Sequence, residues 1–253
     1  RPEKAAAIHA RSGEVLTYAE LDARSNQLAQ LFWAQGLRRG DHVAVFLENH
    51  LRYFEVFWAT FRSGLYLTTV NRYLTAPEAA YIVDDCGAQV LVSSRALHEV
   101  AAEIPRHASA CRRFLAVDGL HEGTSGRFEA YEAAIDEFPA EPLQEEPLGE
   151  FMLYSSGTTG RPKGITRPLP NRPVSRGLAM NPVLKTLFHV DEESVYLSPA
   201  PMYHSAPIGF CSSMQSLGGT VVLMDRFNPV EALQAMEKHA VTHSQWVPTM
   251  FIR

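Results

Sequence analysis

The stretch YSSGTTGRPKG, residues 154–164, closes a short apolar run from Phe151 to Tyr154. It holds three glycines, four aliphatic hydroxyls, one proline and two cations. Glycine admits positive φ and lets a ligand approach the backbone closely. Successive backbone N–H groups in such a turn can converge on an anion. Ser155, Ser156, Thr158 and Thr159 add hydroxyl donors, Lys163 adds a mobile positive charge, and Pro162 restricts the chain. A strand that runs directly into such a loop suits oxyanions, phosphates above all. The competing reading is a solvated Arg/Pro loop without a ligand.

The neighbourhood supports the phosphate reading. Residues 151–190 contain no Asp or Glu but carry Arg161, Lys163, Arg167, Arg172, Arg176 and Lys185. That makes a +6 island in a chain of formal net charge −5. A local basic island in an acidic protein concentrates anionic ligand. Two familiar phosphate loops are excluded. Lys163 is followed by Gly164, so there is no GxxxxGK[ST], and no GxGxxG follows a strand.

Outward from the loop, helical and strand-like segments alternate. Thr17–Glu20 and Thr75–Glu78 have capping-box spacing. The first opens a helix carrying Leu21, Leu28, Leu31 and Phe32 on one face and ending at Gly36. A second helix is expected from Leu51 to Arg62, and a third ends at Cys86–Gly87. Strands are expected at residues 42–47, 89–92, 114–117, 195–197, 220–223 and 241–247. Asn228-Pro229-Val230-Glu231 opens another helix. This order predicts an α/β fold of mostly parallel sheets flanked by helices. Residues 138–150, FPAEPLQEEPLGE, read as a linker between an α/β lobe at 1–137 and a second at 151–253. A long surface loop inside one domain is the alternative.

Composition narrows the function. With 46% hydrophobic and 20% charged residues over 253 positions, the chain can bury a substantial core. Its net charge makes no general case for nucleic-acid or membrane-surface binding. Cys86, Cys111 and Cys211 are odd in number and lack metal-ligand or CxxC spacing, as reduced thiols of a cytoplasmic protein would. The N-terminal residues contain no apolar signal core. Ser194 to Met224 lacks charge, but its prolines and glycines predict a buried strand–loop–helix–strand unit, not a membrane span.

Ser155 to Gly164 resemble, throughout, the [ST]SGTTGxPKG phosphate signature of the adenylate-forming superfamily. Members include acyl-CoA synthetases, peptide-synthetase adenylation domains and luciferases. Leu16 to Asn49 is similar to the family's N-terminal helix–strand unit, and Val241 to Phe251 to its strand leading into a V-P-T helix. Pro201-Met202-Tyr203-His204 is similar to its P-x-[FY]-H element. The likeness is weakest at residues 107–150.

The resemblance implies the N-terminal part of the large domain of such an enzyme. It also implies a reaction in which a carboxylate attacks the α-phosphate of Mg-ATP and coenzyme A then displaces AMP. Ser155, Ser156, Gly157, Thr158, Thr159, Gly160, Lys163 and Gly164 would hold the β- and γ-phosphates. Tyr203 and His204 would lie at the acyl pocket, although a histidine in this setting is equally readable as structural. The family's adenine, Mg2+ and ribose motifs and its small C-terminal domain with a catalytic lysine have no counterpart before Arg253. The chain is therefore expected to be inactive alone. The expected substrate is a fatty or aryl acid, with CoA as acceptor. Alternatives are a fatty-acyl-AMP ligase, a peptide-synthetase-type domain and a non-catalytic nucleotide-binding module.

Overall fold

Pairing between strands distant in sequence builds the computed structural model, which describes residues 1–120, 127–155 and 161–252. Its strands are β1 (Ala5–His9), β2 (Val15–Thr17), β3 (His42–Phe46), β4 (Tyr66–Thr69), β5 (Ala88–Ser94) and β6 (Arg113–Val117), then β7 (Phe128–Ala130), β8 (Glu150–Ser155), β9 (Lys163–Thr166), β10 (Val195–Ser198), β11 (Thr220–Leu223) and β12 (His243–Ser244). Its helices are α1 (Tyr18–Ala34), α2 (Arg52–Arg62), α3 (Ala76–Asp85), α4 (His98–Ala101), α5 (Tyr131–Asp136), α6 (Asn181–Leu187), α7 (Ser205–Ser216), α8 (Pro229–Lys238) and α9 (Pro248–Ile252).

The helix starts follow their local chemistry. At α1, Glu20 Oε2 accepts from the Thr17 backbone N–H at 2.8 Å, and Thr17 Oγ1 accepts from the Glu20 N–H at 3.2 Å. These reciprocal bonds satisfy groups that helix geometry leaves without partners. At α3, Glu78 Oε2 accepts from both the N–H and the hydroxyl of Thr75. Those bonds hold the Glu78 carboxyl below its ordinary pKa. At α8, Asn228 Oδ1 accepts from the Glu231 N–H at 3.1 Å. The 194–224 segment folds as β10, a loop, α7 and β11, as its composition predicts.

The elements form two compact units. One contains residues 23–48 and 55–176 and a seven-stranded sheet of order β7-β6-β5-β3-β4-β8-β9. All of its pairings are parallel except β8–β9. Val43 to Phe46 of the central β3 are fully buried, as a strand covered on both faces requires. The other unit contains residues 1–22, 49–54 and 177–253 and a sheet of order β12-β10-β11-β1-β2, antiparallel only at β1–β2.

This division differs from the expected lobes at 1–137 and 151–253. β8 adds to β4 as a parallel neighbour, so the strand before the glycine loop belongs to the first sheet. β1 pairs in parallel with β11, which carries the N-terminal strands into the other unit. Residues 138–150 run along the first unit, where Gln27 and Gln30 donate to the carbonyls of Phe138 and Glu141. The strand expected at 241–247 shrinks to the two residues of β12.

The start of β8 is set by close backbone approach. The Gly149 N–H donates to Phe61 O at 2.8 Å, and the Glu150 N–H to Leu65 O at 3.1 Å. A Cβ on Gly149 would lie 2.5 Å from Leu65 O and 3.0 Å from Phe61 Cα. Nearby, the Phe61 ring stacks on Phe57 at 4.1 Å and meets Phe151 at 4.9 Å. Backbone atoms cannot step aside as a flexible side chain can. Gly149→Ala is therefore expected to lower the unfolding free energy by about 1–3 kcal/mol, read as a reduced denaturation midpoint in urea.

Candidate active site

β8 and β9 form the two limbs of the YSSGTTGRPKG stretch. They pair antiparallel, with Ser155 opposite Lys163, Tyr154 opposite Gly164, Leu153 opposite Ile165 and Met152 opposite Thr166. Directly opposed residues share a face, and their Cβ atoms lie about 5 Å apart. Ser155 and Lys163 thus project from one face of the ribbon, and both are exposed. Tyr154 and Gly164 occupy the other face. A Cβ on Gly164 would meet the Tyr154 ring at 3.1 Å and collide with Met152 Cε, so the glycine makes room for the tyrosine. The structure brings Ser155, Lys163 and Gly164 together on paired strands. Ser156, Gly157, Thr158, Thr159 and Gly160 lie outside the described residues.

Side chains that sequence reasoning did not single out support these limbs. Tyr154 Oη donates to Asp85 Oδ2 at 2.6 Å. Burial and this bond to Asp85 push the Tyr154 phenol well above its ordinary pKa, so it keeps its proton and donates. On the other limb, Tyr81 Oη donates to Pro162 O at 3.4 Å, and the Arg161 guanidinium lies 5.0 Å from the Tyr81 ring centre. Tyr81 and Asp85 are four residues apart on α3, which places them on one helical face. Further along, Tyr66 Oη donates to Arg167 O at 2.8 Å, and Arg39 donates to Pro170 O at 3.0 Å. The Leu148 N–H donates to Arg172 O at 2.9 Å. Arg161, Lys163, Arg167 and Arg176 remain exposed, which keeps their charge facing solvent. Lys185 sits on α6 in the other unit, so the six cations of the basic stretch do not form a single patch within one unit.

Tyr203 and His204 belong to that other unit. Their rings lie 4.2 Å apart, and His204 is the residue that caps α7. Desolvation lowers the His204 imidazole below its usual pKa, which favours its neutral form. The loop that carries them is fastened by Asn49, a buried amide. Asn49 Nδ2 donates to Ala200 O at 3.0 Å and to Met224 O at 2.7 Å, while its Oδ1 accepts from the Met202 N–H at 2.8 Å. Asn49 thereby ties residues 200–202 to the end of β11.

The AMP-binding enzyme family profile matches residues 1–253. The chain belongs to the AMP-binding enzyme family. Among its curated relatives, feruloyl-CoA synthase of Amycolatopsis sp is 34% identical over 240 residues, covering 94% of this chain and 45% of that protein. The 4-coumarate–CoA ligase 5 of Oryza sativa is 30% identical over 258 residues, covering 100% of this chain and 46% of that protein. The inhibitor-bound N-terminal domain of FACL13 from Mycobacterium tuberculosis superposes with a TM-score of 0.79 at 21% identity. That match covers 99% of this chain and 61% of the solved one. This AMP-binding family chain thus spans about half the length of the curated relatives it matches, which are acid–thiol ligases. Among its described residues, no helix is long and apolar enough to cross a membrane.

Removing the Asn49 amide would leave the Met202 N–H and two carbonyls without their partner. Asn49→Ala is expected to destabilise the protein by about 1–3 kcal/mol, measured by urea unfolding.

Proposed function

We propose that the protein carrying this chain activates a carboxylic acid with ATP and transfers the acyl group to coenzyme A. The observation that carries this reading is the pairing of Ser155 with Lys163 at the limbs of a phosphate-type loop. The family assignment and the names of the CoA-ligase relatives support it.

A carboxylate is a poor electrophile at neutral pH. Attack of its oxygen on the α-phosphate of ATP forms the acyl-adenylate and breaks the bond to pyrophosphate. Negative charge then gathers on the departing pyrophosphate, and donors already in place stabilise that charge. Ser155 supplies a hydroxyl and Lys163 an ammonium on the same face of the ribbon. Ser156, Gly157, Thr158, Thr159 and Gly160 would complete the grip, with Gly164 admitting the close packing behind it. Mg2+ accompanies the ATP as counter-ion. A CoA thiolate then attacks the acyl carbonyl and expels AMP.

Tyr203 and His204 would shape the acyl pocket. A neutral imidazole offers no fixed charge to the carboxylate, in keeping with a shaping role. The substrate would be an aryl or fatty acid. Each of the three cysteines is a buried free thiol, in keeping with a cytoplasmic enzyme.

The test is pyrophosphate release by the full-length protein, with ferulate and a long-chain fatty acid offered in turn, with and without CoA. CoA-dependent thioester formation supports the proposal. Acyl-adenylate that passes only to a carrier protein would replace CoA as the acceptor, and no acid-dependent pyrophosphate would overturn the ligase reading. Lys163→Ala is expected to raise KM for ATP and slow adenylation by roughly 10- to 100-fold, the loss of one charge-assisted contact of about 1.5–3 kcal/mol. Unchanged kinetics would remove Lys163 from the site.

A further inference from the structure

We propose that two residues of α3, Asp85 through the Tyr154 hydroxyl and Tyr81 through the Pro162 carbonyl, position Ser155 and Lys163 for the ATP phosphates. The proposal rests on the ligase reading for its ligand and on separate geometry for its mechanism.

β9 needs such a device. It is the edge of its sheet, and its four residues are exposed. Its ladder to β8 alone would leave Lys163 on an edge strand held from one side. Solvent-exposed edges of this kind open at low free-energy cost. Asp85 and Tyr81 supply a second attachment to each limb. Asp85 Oδ2 takes the Tyr154 hydroxyl at 2.6 Å, one residue before Ser155. Tyr81 reaches Pro162 O at 3.4 Å, one residue before Lys163. The same Tyr81 hydroxyl also lies 3.5 Å from Asp85 Oδ1, a second acceptor that competes with Pro162 O for its one proton.

Side-chain alternation gives the arrangement its logic. Tyr154 and Ser155 point to opposite faces, as do Lys163 and Gly164. A grip on the Tyr154 face therefore fixes the strand without occupying the face that carries Ser155 and Lys163. Gly164, opposite Tyr154, lacks the Cβ that would push the ring away. Asp85 and Tyr81 touch no phosphate in this scheme. They are positioning residues.

The experiment uses the full-length protein in two arms. The first is ligand-free and times trypsin cleavage after Lys163. The second measures KM for ATP and KM for the acid separately. Tyr154→Phe deletes one hydroxyl and keeps the ring. It is expected to speed cleavage after Lys163 and raise KM for ATP by roughly tenfold, the worth of one hydrogen bond to a charged acceptor, with KM for the acid unchanged. Asp85→Ala should match it, and the double variant should be no worse than either single one, because both remove the same bond. Asp85→Asn keeps an acceptor oxygen and should restore most of the loss. Faster cleavage with an unchanged KM for ATP would make the contact merely structural, and additive effects in the double variant would separate the two residues. Either result overturns the proposal. If the unsubstituted protein shows no ATP chemistry, the ligase reading fails, and an unchanged cleavage rate would independently remove the brace.

Discussion

The close approach of Gly149 to the chain at Phe61 and Leu65 is the constraint on which the site depends. Parallel strands cannot be joined by a tight turn, so β8 reaches its place beside β4 only after the chain has traversed β5, β6, β7 and the segment before Gly149. Its register must then be set locally. The Gly149 and Glu150 N–H groups do this by bonding to carbonyls at the end of α2 and just beyond it. From that anchor β8 runs parallel to β4, and its carboxyl end carries Ser155. In open α/β sheets, ligands bind beyond the carboxyl ends of the strands.

Not every buried ionisable group marks chemistry. Glu55 is fully buried, accepting from Arg24 Nε at 2.8 Å and from Tyr131 Oη at 2.9 Å. A buried carboxylate needs such partners simply to remain tolerable in the interior. These contacts tie α1 and α5 to α2 within one unit and read as scaffolding. Asp85 differs: it is exposed, and its carboxylate accepts from Tyr154, one residue before Ser155.

Much of this was legible in residue order. Periodicity and caps located α1, α2, α3 and α8, because capping boxes and proline positions act over four residues. The mostly parallel α/β class and the strand before the glycine loop were legible for the same reason. The units were not. β1 reads as AAAIH, a weak strand by propensity, and becomes one because Ala7 to His9 align with Val221 to Leu223. β12 shortens because only His243 and Ser244 find partners on β10. At the site, the glycines, hydroxyls and Lys163 announce themselves by composition. Asp85, Tyr81 and Asn49 are ordinary residues until the fold brings their partners to them.

The pairing of β1 with β11 bears on how the protein is made. Residue 7 leaves the ribosome 214 residues ahead of residue 221, its neighbour in the sheet. At synthesis rates of about 5–20 residues per second, the β1–β2 hairpin waits on the order of 10–40 seconds for the strand that completes its sheet. Over the same interval the seven-stranded unit, whose last residue is 176, can finish assembling. A pair of β-strands is at best marginally stable by itself, so β1 spends that interval as an unprotected edge. The order of translation therefore favours completing the unit that holds Ser155 and Lys163 before the one that holds Tyr203 and His204.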